Sequence, residues 1–269
     1  MLHALDDAGI NPDVVLGTSI GAINGAMFAA YPSADAVARL EQVWTSDVSR
    51  AVFGASAWQR VGTIARSWTH THPVGPLRDL LTKEVGDVVI EDLPTPFQCV
   101  AASIERASEH WFTEGSLVDA LLATTAVPGL LPPAEVGGEH FLDGGLVHSI
   151  PLGRAVALGA DTVYVMQVGR IERPLVPPTK PWEVAAVSFE IARRHRFTAE
   201  LAAVPDHVTV HVLPTGDAEP PKYADASALK YRDTSRVSAR IASAYEASAA
   251  YLAEQAVSDG GPVAARTGA

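Results

Sequence analysis

Gly17-Thr18-Ser19-Ile20-Gly21 has the form G-x-S-x-G, a serine flanked at fixed spacing by two glycines. Such a serine can serve as a nucleophile when the chain turns sharply beneath it. The hydroxyl then stands clear, backbone N–H groups gather nearby, and the next helix adds positive potential where negative charge develops. The flanking glycines allow strand, turn and helix to approach closely. This pattern also arises by chance as an ordinary Gly-rich turn, so its context carries more weight: Val14-Val15-Leu16 precedes it as a short apolar strand, and residues 22–30 follow with helical composition. A second block is Asp143-Gly144-Gly145, entered through His140-Phe141-Leu142. An aspartate ahead of two glycines can be held against a neighbouring backbone segment, although ordinary hairpins and Asx turns use the same residues. The third block, Ala126-Val127-Pro128-Gly129-Leu130-Leu131-Pro132-Pro133, reads on its own as a Pro-rich connection.

Taken together, the three blocks resemble the patatin-like phospholipases. That family pairs a G-x-S-x-G serine on an early strand–turn–helix with an aspartate in an Asp-Gly-Gly or Asp-Gly-Ala turn, just after an Ala-Ala-x-Pro-like loop. The separation of 124 residues between Ser19 and Asp143, and the approach Asn11-Pro12-Asp13-Val14-Val15, look like the family as well. The likeness runs over roughly residues 2–168. It implies a three-layer α/β/α fold with a mostly parallel central sheet, and a Ser–Asp pair working without histidine. Ser19 is then the nucleophile and Asp143 the general base, with Gly17, Ile20 and Gly21 forming the elbow and oxyanion motif, and Gly144 and Gly145 the aspartate turn. The implied substrates are lipid acyl esters such as phospholipid, lysophospholipid or neutral glyceride, and no cofactor or metal is involved. An aspartate of ordinary pKa is a weak base for a hydroxyl, so it must lie close to Oγ and be partly desolvated.

Two features depart from the family. Its oxyanion hole comes from a Gly-Gly-Gly-x-Arg-Gly-like loop after a first strand, whereas this chain opens inside the next helix. The expectation is an N-terminally short chain whose elbow strand has an unpaired edge and whose remaining oxyanion donor is the N–H of Ile20. The second is His148-Ser149, where the family often carries Asn-Asn before a proline like Pro151.

Periodicity and punctuation supply the elements that must position these residues. Helices are expected over 2–8, 19–30, 34–47, 76–85, 116–124, 152–158, 182–203 and 233–257, and strands over 14–16, 97–104, 110–113, 162–168 and 208–213. Residues 134–142 read as a hairpin turning at Gly137-Gly138. Alternating strands and helices predict an α/β class, a single domain over 1–257 and a disordered tail over 258–269. Residues 48–73, with Trp58 and Trp68, read either as a cap over an acyl groove or as second-layer packing. Arg193-Arg194-His195-Arg196 reads as a solvated helix face in preference to a headgroup contact.

Composition narrows the function. The 269 residues carry 20 Lys and Arg against 31 Asp and Glu, a net charge of −11. That balance argues against nucleic acid as a partner and against strong attraction to anionic membranes, leaving transient membrane contact. A lone cysteine, Cys99, cannot form an internal disulfide. The N-terminus lacks the pattern of a secretion signal, and the expected location is cytoplasmic, with peripheral membrane association. None of the nine histidines has the spacing of a motif such as H-E-x-x-H. Three other readings stay open at this level. One is a Ser–His–Asp α/β-hydrolase using His148, His195, His207 or His211, although its elbow would come unusually early. Another is an acyl-carrier transacylase, which would lack its histidine beside the serine and its arginine. The third is a catalytically impaired lipid-binding or scaffold protein, separable by labelling with a serine-reactive fluorophosphonate.

Overall fold

A computed structural model describes residues 1–31, 33–45, 70–167, 174–216 and 234–258. Trp58, Trp68 and the tail beyond 258 therefore lie outside the described residues. The chain opens with α1 (Leu2–Asp7), which ends at Gly9 in a left-handed conformation, and passes into β1 (Val15–Gly17), α2 (Ile20–Ala30) and α3 (Ser33–Thr45). After α4 (Gly75–Val85) come β2 (Phe97–Ser103), β3 (Ser108–Phe112) and α5 (Leu117–Thr124). The N-cap of α5 is Ser116, whose hydroxyl accepts from the Asp119 N–H at 3.2 Å. β4 (Ala134–Val136) and β5 (Glu139–Asp143) form the expected hairpin. Gly137 and Gly138 both take positive φ, +61° and +80°, as a tight two-residue turn requires. The rest comprises α6 (Leu152–Ala157), β6 (Thr162–Val165), α7 (Pro181–Ala202), β7 (Thr209–Val212) and α8 (Thr234–Ser258).

Two sheets are present among the described residues. Parallel pairs of the expected kind are β1–β2 and β6–β7, while β2–β3, β2–β5 and β4–β5 are antiparallel. The main sheet is thus mixed: β2–β3 and β4–β5 are hairpins with no helix between their strands, and β5 returns antiparallel to β2. Among the described residues β1 pairs with β2 alone. The β6–β7 pair shows the layering plainly. Val163, Val165, Val210 and Val212 pack with Leu152 of α6 and Phe197 of α7, while Tyr164 and Leu213 pack with Leu5 of α1 and Leu252 of α8. Period-two alternation sends successive side chains to helices on opposite faces. The largest core joins Ile23 and Met27 of α2, Leu77 and Leu81 of α4, Leu121 of α5, and Cys99 of β2. Among the described residues, no helix is long and apolar enough to cross a membrane.

The registers around β2 place the site. β3 runs along one edge of β2 over Cys99–Ser103, so β1 and β5 must share the other edge. They meet there end to end: β1 finishes with Gly17 opposite Cys99, and β5 finishes with Asp143 opposite Ala101. The two C-terminal ends are thus two β2 residues apart, roughly 7 Å.

The two elbow glycines differ in what they permit. A Cβ on Gly17 would fall inside the backbone of Ala22, so α2 packs onto the end of β1 only because that side chain is absent. A Cβ on Gly21 would meet nothing within 4 Å. The close approach expected of both glycines therefore belongs to Gly17. Gly17→Ala should lower the free energy of unfolding by about 1–3 kcal/mol. Gly21→Ala, in the first turn of an exposed helix face, should raise it slightly, by about 0.5 kcal/mol. Urea titrations of the two variants check the contrast.

Candidate active site

Ser19 occupies the turn between β1 and α2 with φ +53° and ψ −128°, one of two non-glycine residues with positive φ among the described residues. Such a conformation costs about 1–3 kcal/mol and persists only where the surroundings impose it. Here its N–H donates to Thr124 Oγ1 at 3.0 Å, and its carbonyl accepts from Ala22 N at 2.9 Å. The Thr124 hydroxyl, fully buried at the end of α5, donates in turn to the Val100 carbonyl at 2.5 Å. One side chain therefore ties the elbow to the β2 residue lying between the two strand ends.

Asp143 reaches the elbow from the opposite direction. Its N–H donates to the Ala126 carbonyl at 2.9 Å, so the Pro-rich third block braces the turn. The Gly145 N–H donates to Asp143 Oδ1 at 2.7 Å, which fixes the carboxylate and leaves Oδ2 facing Ser19. Gly144 lies so tightly against the Val100 carbonyl that no Cβ could be accommodated. The Ser19 hydroxyl donates to Asp143 Oδ2 at 2.6 Å. Asp143 is only 3% exposed, and burial pushes its carboxyl up to about 6, against the smaller opposing effects of the bonds from Ser19 and Gly145. A partly exposed hydroxyl bonded directly to a desolvated carboxylate is arranged for proton transfer. Ile20 and Gly21 begin α2, whose first-turn N–H groups and dipole lie beside Ser19.

The structure thus brings together Ser19, Asp143, Gly17, Ile20, Gly144 and Gly145, with Gly21 exposed on the first turn of α2. Among the described residues no histidine bonds Ser19. His148 has its ring between Glu109 and Glu200, and His211 stacks on Tyr164 and meets the Tyr251 hydroxyl at 3.1 Å. The 193–196 segment is solvated in part: His195 and Arg196 are exposed, whereas Arg193 and Arg194 are half-buried. Arg193 and Arg194 pair with Glu190, and Arg196 bridges Glu109 and Glu200. These carboxylates lie one helical turn away or on β3.

Sequence reasoning missed Thr124 and Thr18. Both are ordinary threonines, and their partners, Ser19 N–H for one and the His148 carbonyl at 2.8 Å for the other, are more than a hundred residues distant. The Ala123-Thr124-Thr125-Ala126 run ahead of Pro128 was the available signal, since a polar pair closing an otherwise apolar helix calls for buried acceptors.

Removing the Thr124 hydroxyl isolates its contribution. Thr124→Val leaves the Ser19 N–H without that partner, and should cost about 1–3 kcal/mol of stability and about 10- to 100-fold in ester turnover; Thr124→Ser should stay within about threefold of the parent. Turnover and thermal midpoints of the two variants are the check. Asp143 gives a pH test of folding. Its native carboxyl keeps a proton up to about pH 6, whereas the unfolded chain releases it near 3.8, so this group's contribution to stability falls as pH rises through that window. Asp143→Asn should therefore be more stable than the parent above pH 6, by at most about 3 kcal/mol, with the gain gone below pH 4. Urea midpoints at pH 4 and pH 8 measure it.

A family model described as patatin-like phospholipase matches residues 1–156. A lysophospholipase nte1 of Emericella nidulans is 32% identical over 182 residues, and that of Aspergillus terreus is 29% identical over 177 residues. Each alignment covers 64% of this chain and 11% of the relative, so the chain spans about a tenth of the length of these curated relatives. The match takes in the serine elbow, the Pro-rich loop and the aspartate turn, and the chain belongs to the patatin-like phospholipase family.

Proposed function

We propose that this protein is a serine hydrolase of lipid acyl esters, of the phospholipase A or lysophospholipase type, in which Ser19 is the nucleophile and Asp143 the general base. The observation that carries the reading is the direct 2.6 Å hydrogen bond from Ser19 Oγ to a buried Asp143 carboxylate. In the first half-reaction Ser19 Oγ attacks the acyl carbonyl carbon as its proton passes to Asp143 Oδ2. The carbonyl oxygen takes up the negative charge, stabilised by the start of α2 with the Ile20 N–H in hydrogen-bonding range. Collapse of this intermediate breaks the ester C–O bond, and the leaving alkoxide takes the proton from Asp143. In the second half-reaction water attacks the acyl-Ser19 ester and passes its proton to Asp143. Collapse breaks the acyl C–Oγ bond and releases the fatty acid, and Ser19 Oγ takes the proton back from Asp143.

Family membership and the likeness to lysophospholipases support a lipid substrate. The charge of −11 favours brief, weak association with a lipid surface over tight electrostatic binding to an anionic one. We read residues 1–257 as one domain.

Ser19→Ala should abolish lysophospholipid and p-nitrophenyl ester hydrolysis, along with fluorophosphonate labelling, while shifting the thermal midpoint little. Because the base acts when ionised, kcat/KM of the parent should fall as pH drops through about 6. Retained labelling in Ser19→Ala, or an activity profile flat from pH 5 to 7, defeats the assignment.

A further inference from the structure

We infer that His148 is a positioning residue for the Ser19–Asp143 pair. Its ring, gripped between Glu109 and Glu200, fixes the stretch of backbone that joins the aspartate turn to the serine elbow. The inference rests on the function proposed above and assigns how the site is held.

His148 touches both halves of the site through its main chain. Its N–H donates to the Gly144 carbonyl at 2.7 Å, closing the turn that starts at Asp143. Its carbonyl accepts from Thr18 Oγ1 at 2.8 Å, and Thr18 immediately precedes the nucleophile. Any residue could supply those two groups; the imidazole adds a fixed location for them. The ring is buried, with Nε2 3.0 Å from Glu200 Oε2 on α7 and Nδ1 3.2 Å from Glu109 Oε2 on β3. Glu200 also accepts from the Gly153 N–H at 2.9 Å, so one carboxylate grips both His148 and the start of α6. Arg196 completes the cluster. Its Nη2 bonds Glu109 at 3.0 Å and lies 3.3 Å from Nδ1, and its Nε bonds Glu200 at 3.1 Å. Trp111 of β3 meets the ring edge-on at 5.5 Å, with the Arg154 guanidinium over the indole.

This network has no part in proton transfer, because both ring nitrogens face carboxylates and Ser19 already donates to Asp143. Its geometric content is large. Two elements, β3 and α7, meet the ring five residues after Asp143, and α6 joins through Glu200; a network of this kind tolerates few alternative arrangements. Displacing its centre lets the turn drift from Thr18 and admits water to the Asp143 carboxylate.

The test compares kcat, KM and the pH dependence of p-nitrophenyl ester hydrolysis for His148→Ala, Glu109→Gln and Ser19→Ala, with thermal melts of each. For His148→Ala the expected result is a kcat lower by about 10- to 100-fold, with KM within about threefold of the parent. Its acid limb should move to lower pH as Asp143 becomes hydrated, and added imidazole should restore part of kcat. Glu109→Gln, at the partly exposed side of the cluster, should lose a few-fold in kcat with the acid limb moving the same way, and it serves if His148→Ala does not fold. A lower melting temperature with kcat and acid limb unchanged in the folded variants would make His148 merely structural and overturn the inference. A loss of about 10⁴-fold with the acid limb abolished would make it the base, and also overturns it. Activity retained by Ser19→Ala removes the underlying function instead, and the inference with it; inactive Ser19→Ala beside parental His148→Ala rejects the positioning role alone.

Discussion

Everything at the site depends on two strands ending face to face along one edge of β2. β1 arrives parallel and stops opposite Cys99; β5 arrives antiparallel and stops opposite Ala101. Val100, between those levels, is crowded from two directions. Its carbonyl accepts from Thr124 and abuts Gly144, and the elbow is suspended from the same threonine. The separation of Ser19 and Asp143 is consequently set by the pitch of one strand, and the loops only finish the approach. Antiparallel insertion is what makes this arrangement available. In a wholly parallel sheet both strand ends would point the same way, and the aspartate could not approach the serine head-on.

That crowding sustains two states which are unfavourable in themselves. Ser19 sits at positive φ, and among the described residues the buried Asp143 carboxylate has no cationic partner. Each costs stability of order 1–3 kcal/mol. Both are offset by rigid surroundings: apolar contact of α2 and α5 with β2, the Ala126 carbonyl on Asp143 N–H, and the Thr124 bridge. A protein can hold such strain only where several independent contacts determine the same position.

The legible parts of the sequence were those where backbone demands select residue types. Gly17 under the elbow, Gly144 against β2, the Gly137-Gly138 turn and the Ser116 cap all leave local marks, and the pairing of the first two pointed to the family. Side chains whose partners are distant left none. Thr124 serves an N–H 105 residues away, and His148 binds carboxylates 39 and 52 residues away. Arg196 read as part of a solvated basic run, and its ion pairs were hidden because its acidic partners are scattered over β3 and the next helical turn. The sheet's mixed character was similarly hidden, since apolar runs such as Phe97–Ser103 show burial without showing strand direction.

In the proposed mechanism, burial of Asp143 also bears on why a carboxylate can serve as base where imidazole is the commoner choice. With histidine as base, proton abstraction creates a cation beside an oxyanion, and a third group must support that cation. With Asp143 the charge moves instead. A carboxylate that is poorly solvated in the resting site is neutralised as it takes the proton, and the same unit of negative charge appears on the carbonyl oxygen beside the start of α2. Burial raises the energy of the resting carboxylate, pushing its pKa up to about 6, while the helix dipole and first-turn N–H groups lower the energy of the oxyanion. Both effects act on the difference between ground and transition states, and that difference sets the rate. On that mechanism the exposure of Asp143 matters to the rate as much as its distance from Ser19. Anything that wets the turn lowers the carboxylate's pKa and weakens the base, even where the 2.6 Å hydrogen bond survives.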